Sequence, residues 1–231
     1  MKSLDPDPLQ GAFTLKGARL AILGYDADAR DHALTLRRAE NHVVIGVPPD
    51  TTCWARACAD GFAVATPSAA VANAEIVVVL VREHEATWRM SEPHLAPGTL
   101  IVFRSARALE SGACTRGGFD VVLASTVDDA HTGCRIAVHR DATGRALLRA
   151  VAYARASCGK DVSLRATSVA AEADLELASI GERAGSLLAF AASHEVLPVR
   201  PLPPEAKRPE PEADTGRPTW FHFMLARRSR M

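Results

Sequence analysis

Chemistry in this chain concentrates where apolar runs stop. Leu20-Ala21-Ile22-Leu23 ends at Gly24-Tyr25-Asp26-Ala27-Asp28. A glycine directly after a buried strand allows a tight turn into a helix, whose first amides can receive an anion. Val43-Val44-Ile45-Gly46 is followed by Pro48-Pro49-Asp50 and the hydroxyls of Thr51 and Thr52, which could donate to a phosphate. Ile76 to Leu80 leads to Arg82, Glu83 and His84, and Leu100 to Phe103 leads to Arg104 and Ser105. In open α/β sheets ligands bind outside such carboxyl ends of strands. The five cysteines (Cys53, Cys58, Cys114, Cys134, Cys158) include no CxxC pair and read as reduced, mostly buried thiols. The eight histidines show no HExxH spacing.

The elements that would carry these groups follow an alternating rhythm. Four apolar residues in a row between Gly17 and Gly24 fit a strand covered on both faces. Strands are expected at about 18–24, 42–46, 61–64, 75–80, 99–103, 120–124 and 135–139, the last two closing the series. Helices are expected at about 27–39, 52–60, 67–73, 84–91 and from about 141 to 157, with Asp50, Thr51 or Thr52 capping the second. Such alternation implies an α/β, doubly wound, mostly parallel sheet of Rossmann-like form. An alanine-rich helix over 167–193 and a proline-punctuated, extended tail complete the chain. The expected organisation is a lead-in at 1–16, a nucleotide-binding-type domain at 17–165, a helical segment at 166–195 and a tail at 196–231. Trp220-Phe221-His222-Phe223-Met224 near the end is read as docking on this chain or on a second copy.

Bulk properties exclude some functions. Lys+Arg and Asp+Glu both number 27, so the net charge is zero. That argues against a general nucleic-acid or anionic-membrane binder. The first residues lack the apolar core of a signal peptide, and no apolar run reaches spanning length. A cytoplasmic location is the default expectation.

In order along the chain, the residues resemble the nucleotide-binding domain of ketol-acid reductoisomerases. The likeness is carried by Lys16-Gly17, Leu20 to Tyr25, His32-Ala33-Leu34, Leu36-Arg37, Val43 to Gly46, Trp54-Ala55 and Ala59-Asp60-Gly61-Phe62. It continues through Ala70-Val71, Ala74 to Val77, Leu95 to Leu100, Phe103, Val138 to Ala146 and Ala152-Tyr153-Ala154. It spans about 16–180, with gaps near 90 and after 126. Colinearity rather than any one motif makes it persuasive. The resemblance implies a Rossmann domain followed by a helical domain, NADPH, two magnesium ions, and reduction and rearrangement of 2-acetohydroxy acids in branched-chain amino acid synthesis.

Against that family pattern the chain departs at its chemical positions. The family turn Gly-Tyr-Gly-x-x-Gly reads Gly24-Tyr25-Asp26-Ala27-Asp28-Ala29, which keeps only the first glycine. Asp26 places a carboxylate where the diphosphate should sit, a repulsion of roughly 1–4 kcal/mol. Asp26 and Asp28 also favour a helix N-terminus on their own account. The arginine that reads a 2′-phosphate is missing, and Asp50 favours a free ribose hydroxyl, so NAD is at least as well matched as NADP. Ser105 stands at the catalytic histidine, and Ser125 to Asp129 replace the lysine segment. The acid pair of the long helix becomes Asp174 and Ala178, so only one family metal acid remains, and magnesium is not expected. Glu172, Glu176 and Glu182 do not restore the site by spacing alone.

Three readings result, the first two leading. One is a degenerate relative without isomeroreductase activity, a binding, regulatory or scaffold subunit that dimerises through 167–193. The other is a repurposed NAD(P)-dependent oxidoreductase or cyclising enzyme of specialised metabolism, using Gly24, Thr51, Thr52, Arg82, Glu83, His84, Arg104 and Ser105. The third, residual reductoisomerase activity, ranks last because its metal chemistry needs both carboxylates.

Overall fold

The computed structural model describes residues 15–80, 84–110, 116–126 and 133–193, with side chains at 84–86, 110 and 182–193 left aside. The chain divides into two compact units, 1–186 and 187–231, and the sheet belongs to the first. The readings for the tail, for the aromatic end at 220–224, for Arg82 and Glu83, and for the replaced lysine segment beyond Thr126 fall outside the described residues.

Among the described residues eight strands form one sheet. They are β1 (Arg19–Leu23), β2 (His42–Gly46), β3 (Ala63–Ala65), β4 (Ile76–Val79), β5 (Leu100–Phe103), β6 (Asp120–Thr126), β7 (Gly133–Arg140) and β8 (Ser163–Ala166). Their spatial order is β3-β2-β1-β4-β5-β6-β7-β8. The β6–β7 pair is antiparallel and the other pairings are parallel. The order reverses between β1 and β4, where Leu23 faces Val79, and this switch point opens a crevice at the strand ends.

The helices are α1 (Ala27–Arg38), α2 (Thr52–Ala59), α3 (Pro67–Val71), α4 (His84–Ser91), α5 (Ala106–Glu110), α6 (Ala146–Cys158) and α7 (Val169–Ser193). The pleat sends alternate residues of β1 to opposite cores. Leu20 and Ile22 join Ala33 and Leu36 of α1 and Ala150 and Tyr153 of α6. Ala21 and Leu23 join Val71 of α3, Trp88 of α4, Leu109 of α5 and Ala173 of α7. Layers on both faces explain why β1, β4 and β5 read as unbroken apolar runs rather than alternating ones.

Strand β8 and helix α5 extend the series beyond what the sequence pattern indicates. Ser163-Leu164-Arg165-Ala166 buries only Leu164 and forms the sheet's edge beyond β7, so its apolar signal is too sparse to read. Five-residue α5 is too short for a helical period to register.

The amino ends of the central strands are locked by one buried ion pair. Asp120 is fully buried and accepts from Arg149 Nη1 at 3.0 Å, from Thr143 Oγ1 at 2.7 Å and from the Thr143 amide at 2.9 Å. Arg149 also donates to the carbonyls of Gly98 and Glu75, both at 2.7 Å. The clasp ties α6 to the amino ends of β4, β5 and β6, away from the crevice.

Candidate functional site

The turn after β1 is built around Gly24, whose φ of 97° belongs to the region that favours glycine. Its amide donates to the Gly46 carbonyl at 3.1 Å, holding the β1 and β2 ends together. Gly46 is required by packing, because a Cβ there would lie 2.7 Å from Leu23 Cδ2 and 3.1 Å from the Ala70 Cβ. Around this turn lies a cavity of about 330 Å³ lined by Gly24, Tyr25, Asp26, Thr51 and Leu80, among others. Five of the residues expected to hold a nucleotide thus meet at one place. Ala27 is exposed as the first residue of α1, and exposed Thr52 opens α2; neither lines this cavity.

Local bonds set what these residues offer. Asp26 is the N-cap of α1 and accepts from the Ala29 amide at 2.8 Å. The carboxylate therefore serves the helix itself, as its residue type predicts. Thr51 caps α2, accepting from the Trp54 amide at 3.2 Å while donating to the Pro48 carbonyl at 2.9 Å. Tyr25 turns its hydroxyl away from the helix end and donates to Asp60 Oδ2 at 2.7 Å. Arg30 grips the same carboxylate at 2.8 and 3.2 Å. Burial first, and the Asp60 hydrogen bond second, push the Tyr25 hydroxyl up to about 12. The Arg30 hydrogen bond, then that of Tyr25, holds the Asp60 carboxyl below the usual carboxylate range.

A second, more polar cavity of about 360 Å³ lies at the ends of β5, β6 and β7 under α7. Its contributors include Asp26, Asp28, Arg104, Arg135, Glu172 and Glu176. The spacing argument on Asp174 and Ala178 pointed to the other side of the helix, and both are exposed. The acids that face the sheet are Glu172 and Glu176, four residues apart and hence stacked on one face. That spacing was the available signal. Glu172 is 1% exposed; it accepts from Arg135 Nε and from Ser125 Oγ, each at 2.7 Å. Glu176 accepts from Ser105 Oγ at 3.0 Å and from the Ala106 amide at 2.6 Å, capping α5. Ser105, expected from the resemblance to stand at the family's histidine position, is thereby engaged with α7.

A third cavity, about 510 Å³, adjoins on the α1–α6 side and shares Asp28, Leu80, Arg104 and Thr126 with the second. His32 of α1 meets the Tyr153 hydroxyl at 2.5 Å behind it. Burial raises the Tyr153 hydroxyl above its ordinary value. The Cys134 thiol is raised as well, through hydrogen bonding to Cys158 and then burial, which makes it a poor nucleophile.

Metal ligation by these acids does not fit. A hard, octahedral cation needs several free oxygen ligands. Here a guanidinium, two hydroxyls and an amide already occupy Glu172 and Glu176. Among the described residues no group of three or more His, Cys, Asp or Glu could hold a metal ion.

Solved structures share this fold at low sequence identity. An NADH-preferring ketol-acid reductoisomerase from an uncultured archean aligns with a TM-score of 0.67 at 20% identity, over 84% of this chain and 64% of that one. A semialdehyde dehydrogenase NAD-binding protein from Cupriavidus necator, in complex with calcium and NAD, aligns at 0.61 with 16% identity, over 78% and 76% of the two chains. An imine reductase from Myxococcus stipitatus, a variant in complex with NAD+, gives 0.54 and 15%, over 76% and 64%. The chain therefore spans a little under two thirds of that reductoisomerase's length. Residues 14–162 match the model for the acetohydroxy acid isomeroreductase, NADPH-binding domain. With well over half of its length matched and the Gly24 turn at the head of a doubly wound sheet, this chain belongs to the acetohydroxy acid isomeroreductase family through its NADPH-binding domain.

Proposed function

We propose that this protein is a diverged family member that does not carry out magnesium-dependent isomeroreduction and acts as a binding or regulatory subunit, or as a scaffold. The observation that supports this most is the commitment of Glu172 and Glu176 to Arg135, Ser125, Ser105 and the start of α5. Acids spent inside the protein are not free for a metal. The nucleotide would be held by the Gly24 turn and by the Gly46-to-Thr51 segment. NAD is favoured over NADP, because Asp50 would repel a 2′-phosphate. A bound dinucleotide would supply a hydride acceptor or donor; the chain's own part is to orient it and exclude water. It would work in the cytoplasm as a homodimer, with Leu175, Leu177 and Ile180 of α7 about half exposed and available to a second copy. Among the described residues no helix is long and apolar enough to cross a membrane.

The test uses the full chain with magnesium, NADH or NADPH, and 2-acetolactate. Coenzyme oxidation at the blank rate is expected, and magnesium-dependent turnover would overturn the reading. Sedimentation tests the dimer. A second reading, a repurposed NAD(P)-dependent oxidoreductase or cyclising enzyme, is favoured by Arg104, a cation standing in the cleft with no acidic partner among the described residues. NADH binding in the micromolar range, followed through Trp54 or Trp88 fluorescence, would favour it; no binding at millimolar NADH would eliminate it.

A further inference from the structure

We propose that Arg104 and Asp28 form the two poles of a binding site for a small zwitterion, an α-amino acid, in the cavity between α1, α6 and the ends of β5 and β6. Arg104 follows directly on Phe103 at the carboxyl end of β5 and is half-buried. Its hydrogen bond from Nη2 to Thr126 Oγ1 is long, at 3.4 Å, and it also stands against the Tyr153 hydroxyl. Three other arginines of this domain have a carboxylate partner: Arg135 has Glu172 at 2.7 Å, Arg149 has Asp120 at 3.0 Å and Arg30 has Asp60 at 2.8 Å. Among the described residues no carboxylate stands within ion-pair distance of Arg104. A guanidinium stays charged at any physiological pH, so a half-buried one without a counter-ion is a receptor for an anion.

Asp28 complements it. It lies in the first turn of α1, is exposed, and makes no ion pair among the described residues. Both residues line the cavity of about 510 Å³, and both also line the adjoining cleft. They do not bond each other, so both can face a ligand in the cavity they share. A dianion such as phosphate is disfavoured, because Asp28 and Asp31 line the same space. A simple monocarboxylate would satisfy Arg104 and leave Asp28 unmatched. A molecule with a carboxylate at one end and an ammonium at the other answers both, and Thr126 Oγ1 can donate to the carboxylate. Leu80 supplies an apolar wall for a side chain. This inference does not rest on dinucleotide binding or on turnover.

Calorimetric titration of the full chain tests it with L-alanine and L-leucine, their deaminated counterparts propionate and 4-methylpentanoate, their decarboxylated counterparts ethylamine and isoamylamine, and inorganic phosphate. At least one amino acid should bind about tenfold more tightly than either of its matched fragments. Arg104→Met should abolish amino-acid and carboxylate binding. Asp28→Asn should weaken amino-acid binding about tenfold while leaving the carboxylate unchanged. Asp28 is exposed, so its variant reports even if Arg104→Met fails to fold. The proposal is overturned if phosphate binds more tightly than the amino acids or if fragments and amino acids bind equally. It is overturned equally if both variants titrate like the parent, or if no amino acid binds at up to about 50 mM, where binding is weaker than roughly 2 kcal/mol.

Discussion

The Glu172 carboxylate stands 2.7 Å from Arg135 Nε, joining α7 to β7 beneath the polar cleft. The pair is shielded, with side-chain exposures of 2% and 18%. Glu172→Ala leaves the guanidinium unmatched and is expected to lower unfolding free energy by about 3 kcal/mol. Adding Arg135→Met should restore part of the loss, because two apolar groups need no counter-charge. Urea denaturation of both single variants and the double variant measures the coupling. Equal, additive losses would show that the ion pair holds α7 in place no better than its apolar packing does.

One turn further along the same helix, Glu176 closes the start of α5. Glu176→Ala should cost about 1 kcal/mol of stability, as for loss of a helix cap. The informative readout is local. Amide exchange at Ala106 and Arg107 should speed up while the central strands keep their protection. Unchanged exchange at Ala106 would mean that the 2.6 Å bond contributes nothing in solution.

Asp26 caps α1 beside the Gly24 turn, where the resemblance leads one to expect a glycine and a diphosphate. Asp26→Gly removes the charge and, at a cap position, should cost only a few tenths of a kcal/mol. Relief of about 1 kcal/mol of repulsion should tighten NADH binding roughly fivefold. Tryptophan quenching follows it. A variant that binds NADH no better than the parent would show that Asp26 is not what limits the dinucleotide.

Tyr25 makes stability depend on alkaline pH. Its folded-state value is raised from 10.0 to about 12, by burial and then by the Asp60 bond. The folded chain holds this proton more tightly than the unfolded chain, so the stabilisation is complete below pH 10 and is lost as pH climbs toward 12. The difference in unfolding free energy between the parent and Tyr25→Phe should therefore shrink across that window. A constant difference would mean that the hydroxyl ionises as it does in the unfolded chain.

Most of the layout is legible from residue order alone. The unbroken apolar runs of β1, β4 and β5, the Asp26 and Thr51 caps, and the Gly24 turn specify their elements through local sterics, hydrogen bonding and the need to bury both sheet faces. The resemblance also leads one to expect other residues at Ser105 and Ala178. What it could not decide was which acids enter the cleft. The pattern drew attention to Asp174, yet the angle at which α7 meets the sheet turns Glu172 and Glu176 inward, toward Arg135 and α5. Helical spacing states which residues share a face but not which way that face points; only packing against distant strands settles it. The surroundings of Arg104 have the same origin, since which groups stand near a side chain is a property of everything folded around it.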